Sequence, residues 1–530
     1  MFVQILMLVI FFAVTVGVGF YCRKRATDLH GFVLGGRSVG PWLTAFAYGT
    51  SYFSAVVFVG YAGQFGWKFG IASTWIGLGN AFIGSLLAWV VLGRRTRVMT
   101  RHLHSATMPE FFGARYASRG LRVGASVITF IFLIPYTASL YNGLSRLFAM
   151  AFDIDFTLCI IVMAVLTAVY VIAGGYFATA VNDFIQGIIM LGGMVAVVVA
   201  VLRVNGGFTA SLDALARVAD PAVSDTPGIF ASFFGPDPIG LLGVVILTSL
   251  GTWGLPQMVQ KFYSIQSEKA VNKGTIISSV FALVVAGGCY FMGSFGRLFG
   301  DKVNLAADGY DAIVPAMLSG LSPVLIGLIV LLVLSASMST LSSLVMASSS
   351  TFTLDFLKGT LVKDMTPKQQ LRSIRVLIAV FILISSVIAI VQYRQNIGFI
   401  AQFMGISWGA LAGAFLAPFL YGLYWKRATK PAVWCCFGFS TVVMLANLLF
   451  KDAFPAVLQS SINAGAFVML AGLVIVPVVS LLTRRPDAEH VAHCFAAYDR
   501  TVTVKVRESL GGDIVDDAGG TDAPDAPTTP

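Results

Sequence analysis

In the stretch Ser335-Ala336-Ser337-Met338-Ser339-Thr340-Leu341-Ser342-Ser343, a helix places Ala336, Ser339, Thr340 and Ser343 at i, i+3, i+4 and i+7, so three hydroxyls share one face. Inside an apolar run each hydroxyl needs a hydrogen-bond partner, a neighbouring helix or a ligand, and a small hard cation such as Na⁺ takes oxygen ligands of this kind. Such serines also back-bond to the preceding turn or join helices, and the spacing leaves both readings open. A second polar group is Asp183, in Asn182-Asp183-Phe184-Ile185-Gln186-Gly187, which enters another apolar run. A carboxylate there is expensive unless paired, so it reads either as a helix N-cap or as part of a cation site. All five histidines (His30, His102, His104, His490 and His493) lie in polar stretches, which weighs against a histidine proton relay within the apolar runs. No His-Glu-x-x-His pair and no Ser/His arrangement occurs in those runs, so the chain does not read as an enzyme.

The elements that must position these groups are apolar helices. With 530 residues, 57% hydrophobic, 11% charged and 54 glycines, the chain is too apolar to fold around one soluble core. It reads as an all-α polytopic protein of the cell (inner or plasma) membrane. Thirteen runs of about 20 or more residues qualify as spans, at about 2–21, 41–62, 71–93, 120–149, 155–175, 181–203, 237–262, 274–298, 323–356, 372–392, 396–424, 431–450 and 464–483. The first is followed by Arg23-Lys24-Arg25 in place of a small-residue cleavage site, so it reads as a retained helix with its N-terminus outside. Basic clusters then fall on one side, which the positive-inside rule makes cytoplasmic: Arg94, Arg95, Arg97 and Arg101, Lys269 and Lys273, Lys358, Lys363, Lys368 and Arg372, Lys426, Arg427 and Lys430, Arg484 and Arg485. The net charge of +10 is accounted for by these clusters, and no basic stretch interleaved with aromatics points to nucleic acid. Six scattered cysteines match neither a metal knuckle nor a disulfide framework. Residues 1–485 read as the membrane domain and 486–530 as a cytoplasmic tail, acidic, Gly/Pro-rich and disordered from about 511.

Two spans carry residues that favour unwinding, Gly49-Thr50-Ser51 in the second and Gly251-Thr252-Trp253-Gly254-Leu255-Pro256 in the seventh. Glycine and proline are common in membrane helices, but interruptions at matching places five spans apart point to a binding site between two inverted repeats, about 41–203 and 237–424.

At these residues the chain resembles the sodium:solute symporter family. The resemblance runs over 1–485 and is carried by Phe32-Val33-Leu34-Gly35-Gly36-Arg37-Ser38, Ala173-Gly174-Gly175, Asn182 to Gly187, Met338 to Ser343, and Phe352-Thr353-Leu354-Asp355. It implies the inverted five-plus-five fold of the leucine transporter with thirteen transmembrane helices, and Na⁺ as coupling ion. By resemblance, one sodium is held by the carbonyls of Thr50, Phe53 and Ala336 and the hydroxyls of Ser339 and Thr340. Some members add a second sodium, which would fall to Asp183, Ser339, Ser342 and Ser343.

A solute pocket between the two breaks would be lined by Tyr52, Phe53, Val56, Trp253, Leu255 and Gln257, largely apolar with few polar tips. That suits a small carboxylate or amino acid such as pantothenate, a monocarboxylate or proline, although Trp253 reads equally well as a packing aromatic. Sugar carriers of the family place polar residues after the first break, where this chain has Ala55, Val56 and Val57. Proline carriers place an aspartate at Tyr52 and aromatics at Thr248 and Thr252. Na⁺-coupled symport of a small organic solute into the cell is the function expected, with Na⁺, the solute and the lipid bilayer as partners. A membrane solute sensor built on the same fold is the alternative.

Overall fold

The computed structural model describes residues 2–25, 27–152, 155–305, 309–362, 364–394 and 400–499. The segment from about 511 expected to be disordered lies outside these residues. The described chain is almost entirely helical, with isolated bridges at Val39–Ile265 and Asp220–Ser224 in place of any strand. The long helices are α1 (Phe2–Cys22), α2 (Pro41–Tyr52), α3 (56–69), α4 (74–102), α5 (Arg119–Phe152), α6 (Phe156–Val204), α7 (Pro238–Gly254), α8 (Pro256–Ser264), α9 (Glu268–Gly293), α10 (Pro323–Thr351), α11 (Pro367–Arg394), α12 (Ile400–Tyr424), α13 (Lys430–Leu449) and α14 (Ser461–Leu482).

Among the described residues, ten helices are long and apolar enough to cross a membrane, or eleven if α7 and α8, bent by 45°, count as one span. The thirteen expected are not reached on this criterion. The difference lies in continuity, because 56–102 and 156–204 each run as one interrupted helix of 47 and 49 residues, whereas a single crossing needs about 20. The first is pinched by a tight turn at Gly70–Ser73, and the second turns at Gly175, whose φ of 59° and ψ of −161° only glycine adopts readily.

α10 is the axis of the bundle. Every residue from 329 to 351 is buried, so it is enclosed on all sides, chiefly by α5, α6, α1, α2 and α11. Its serines and threonines permit that close packing, and several hydroxyls satisfy themselves on the preceding turn: Ser337 donates to Val333 O at 2.7 Å and Ser350 to Met346 O at 2.7 Å.

At the end of the bundle carrying the basic loops, the Gly35-Gly36-Arg37-Ser38 turn has a structural role. Gly35, Gly36 and Arg37 all adopt positive φ (59°, 66° and 54°), reversing the chain between the short helix Leu29–Leu34 and α2. The turn delivers the Arg37 guanidinium to the carbonyls of Ser105 (2.6 Å), Tyr263 (3.3 Å) and Thr100 (3.4 Å), tying the ends of α4 and α8 together. The closing Phe352-to-Asp355 motif makes a second knot. Asp355, fully buried, receives Arg122 Nε at 2.6 Å and Thr107 Oγ1 at 2.6 Å, and Arg122 also reaches Glu110 at 3.0 Å.

Candidate sodium site

α2 remains helical through Gly49-Thr50-Ser51, which corrects the expected position of the first break. Gly49 serves close packing instead, since a Cβ there would lie 2.4 Å from the Phe281 ring. The helix stops at Phe53, extended at φ −92° and ψ 122°, and winding resumes at Ala55–Val56. The second break is where the sequence placed it: α7 ends at Gly254, Leu255 is extended at φ −82° and ψ 122°, and Pro256 opens α8. The two breaks therefore have nearly the same backbone geometry, and each leaves carbonyls without the amide that a continuing helix would supply.

α10 lies against the first break. Thr340 Oγ1 is 3.0 Å from Ala336 O, 3.2 Å from Thr50 O and 3.3 Å from Phe53 O. Ser339 Oγ donates to Thr50 Oγ1 at 2.6 Å, and Thr50 Oγ1 in turn donates to Phe46 O at 2.8 Å. Four of the five groups expected to hold the first sodium, the carbonyls of Thr50, Phe53 and Ala336 and the Thr340 hydroxyl, therefore meet around Thr340 Oγ1, whereas the fifth, the Ser339 hydroxyl, reaches them only through the Thr50 side chain. A hydroxyl has one proton, so Thr340 Oγ1 can serve only one carbonyl. Ala336 O also takes the Thr340 amide within α10, whereas Thr50 O and Phe53 O lie at the end of α2, where the helical amide partner is missing, and make the spot acceptor-rich. A hard cation binding oxygens at roughly 2.4 Å in sixfold geometry keeps neighbouring ligands about 3.4 Å apart, close to these separations.

The second set is arranged differently. Asp183 lies inside α6, several residues beyond the Gly175 turn, so it does not cap a helix. It is 1% exposed and neither carboxylate oxygen has a hydrogen-bond partner. Facing it at 3.8 Å is Lys261 Nζ of α8, itself 2% exposed, which donates to Ser343 Oγ at 3.0 Å. Ser343 also bonds Ser51 Oγ at 2.8 Å, whereas Ser342 Oγ donates to Ser339 O at 2.8 Å. The reading from sequence missed Lys261. Its signal was a lysine within the run 237–262, an intramembrane charge that calls for a partner.

Of the residues expected to line the solute pocket, all six are buried. Tyr52 Oη and both amide atoms of Gln257 are without hydrogen-bond partners, whereas Trp253 Nε1 donates to Ile83 O at 3.0 Å. The Trp253 indole is therefore engaged in packing α7 against α4. Thr248 and Thr252 are also committed, to Val244 O at 2.8 Å and Gly84 O at 2.9 Å respectively.

Two broken helices of matching geometry, one wrapped by a buried hydroxyl-bearing helix, define a membrane transporter of the inverted-repeat class. The sodium:solute symporter family matches residues 32–437, and the chain belongs to it. Its fold is shared with a Na⁺-coupled sialic acid symporter in a substrate-bound outward-open state (19% identical, TM-score 0.71, covering 92% of this chain and 99% of that one). It is also similar to a nucleobase-cation-symport-1 family transporter closed around bromovinylhydantoin (14% identical, TM-score 0.51, 88% and 97%). The sodium/proline symporters of Staphylococcus aureus strains JH9 and NCTC 8325 / PS 47 are each 27% identical over 495 residues, 91% of this chain and 93% of theirs. The protein is a multi-pass cell-membrane symporter of the five-plus-five leucine-transporter fold that couples solute movement to Na⁺.

Proposed function

We propose that the protein carries a small carboxylate or amino acid, of the size of pantothenate, a monocarboxylate or proline, into the cell with Na⁺ held by Thr50, Phe53, Ala336, Ser339 and Thr340. The carrying observation is the surplus of acceptors around Thr340 Oγ1. Sodium supplies the positive charge that these oxygens lack, and in doing so draws α2 and the first break against α10. The coupled step is binding and conformational exchange, with no covalent chemistry.

The solute class rests on Tyr52 and Gln257, whose polar atoms are free beside otherwise apolar Phe53, Val56 and Leu255. A carboxylate would meet Gln257 and the N-terminal end of α8, where Pro256 opens the helix and the dipole is positive. Likeness to sodium/proline symporters favours an amino acid, whereas Tyr52, Thr248 and Thr252 depart from the proline pattern and widen the class to other small carboxylates. The test is a Na⁺-dependent thermal-shift screen of the purified protein against amino acids, pantothenate and short monocarboxylates, followed by uptake of the hit in proteoliposomes. Uptake should vanish when choline or K⁺ replaces Na⁺, and undiminished uptake overturns the proposal. The Ser339→Ala/Thr340→Ala chain should need far more Na⁺ at unchanged abundance; an unaltered Na⁺ response would make these hydroxyls structural.

A further inference from the structure

The first sodium site leaves two buried charges unused, Asp183 of α6 and Lys261 of α8. The ammonium of Lys261 lies 3.8 Å from Asp183 Oδ2, donates to Ser343 Oγ at 3.0 Å and sits over the Tyr176 ring at 5.2 Å. Ser343 passes the connection to Ser51 of α2 at 2.8 Å. Two of the four side chains that would make a second sodium site, Asp183 and Ser343, therefore already face a cation that belongs to the chain. A third, Ser342, turns its hydroxyl to its own helix, donating to Ser339 O at 2.8 Å.

We propose that Lys261 is the resident cation of this second position, so that the protein binds and couples a single Na⁺. This rests on the sodium reading of the Thr340 site. A buried carboxylate requires a counter-charge, and an ammonium and a metal ion competing for the same oxygens repel each other in a poorly screened interior. A free ion would be released at each cycle, whereas Lys261 is tethered to α8 and stays. Asp183 then carries compensated charge throughout, and the membrane potential acts on one sodium per cycle instead of two.

Equilibrium binding of radioactive sodium to the purified full-length protein tests this directly. The wild type should bind one ion with a non-cooperative isotherm. Lys261→Ala, which removes the ammonium and leaves room for a metal, should bind two, and adding Asp183→Asn should return the count to one. Two ions in the wild type, or one in a folded Lys261→Ala chain, overturns the inference while leaving the Thr340 site intact. No sodium bound by the wild type overturns that site and this inference together. If Lys261→Ala cannot be recovered, Asp183→Asn/Lys261→Met, which buries no lone charge, decides. One ion at wild-type affinity supports the resident lysine, and loss of an ion relative to the wild type refutes it.

Discussion

Thr340 and Ser342 are two residues apart on the same helix and have opposite electrostatic surroundings. Thr340 Oγ1 faces three carbonyls with one proton, whereas Ser342 Oγ meets Ser339 O at 2.8 Å and is satisfied. Replacing Thr340 by valine preserves the volume and removes one oxygen from the acceptor cluster. Interactions of polar groups with a charge contribute about 1.5–3 kcal/mol, so Thr340→Val should raise the half-saturating Na⁺ concentration at least roughly tenfold. Ser342→Ala should leave it close to that of the parent. Sodium titrations of melting temperature measure both, and equal sensitivity of the two variants would deny Thr340 its special place. The hydroxyl face containing Ser339 and Thr340 was legible from helical spacing, and its carbonyl partners from family resemblance. Lys261 was not legible in the same way. Its place within the run 237–262 called for a partner, but near the end of that run it also reads as a boundary charge, and which partner it has, Asp183 of α6, comes only from the packing.

At the scale of elements, the helix breaks shape the site and the knots at the basic end tie its helices together. The second break was predicted correctly because Gly254-Leu255-Pro256 has a chemical reason to stop a helix. The first was placed a few residues early because a glycine that serves close packing on Phe281 looks the same in sequence as one that breaks a helix. Gly175 is a different case, since its backbone lies where side chains are strained. Gly175→Ala should therefore lower stability by about 1–3 kcal/mol, read as a drop in melting temperature, and an unchanged melting point would contradict that backbone conformation. The Arg122–Asp355 pair joins the start of α5 to the π-helical stretch Phe352–Leu361 that continues α10, and Asp355 is fully buried while Arg122 is about a quarter exposed. Removing only the arginine strands a buried carboxylate, at a cost of about 3 kcal/mol. Arg122→Gln should consequently destabilise the protein more than Arg122→Gln/Asp355→Asn does. The reverse order in thermal unfolding would show that the pair is not what holds these ends together.

The whole molecule extends beyond the membrane bundle through the first part of the tail, which the sequence did not distinguish from the rest of 486–530. Residues Ala488–Phe495 form a short helix, α15, started by Asp487, whose carboxylate accepts the His490 amide at 2.9 Å. Three apolar residues, Val491, Cys494 and Phe495, are buried on its inner face. Arg115 lies over the Phe495 ring at 5.0 Å, His102 Nε2 meets His493 O at 2.8 Å, and Tyr498 Oη donates to Arg95 O at 3.1 Å. α15 thus clamps α4 to the segment leading into α5. Burial pushes the Cys494 thiol up from its usual range, so it should be slow with maleimide both because it is covered and because little thiolate forms. A helix this short has no stability of its own and stays only while its apolar face is docked. Phe495→Ala removes most of that face, about 3 kcal/mol of contact for a buried phenylalanine, and should free the segment. In a chain whose other five cysteines are replaced, Cys494 should then be labelled at least tenfold faster, with the Na⁺ response unaltered because none of the sodium ligands touches α15. Labelling at the parent rate would mean that Phe495 does not hold the clamp, and a changed Na⁺ response would mean that the tail communicates with the site through α4.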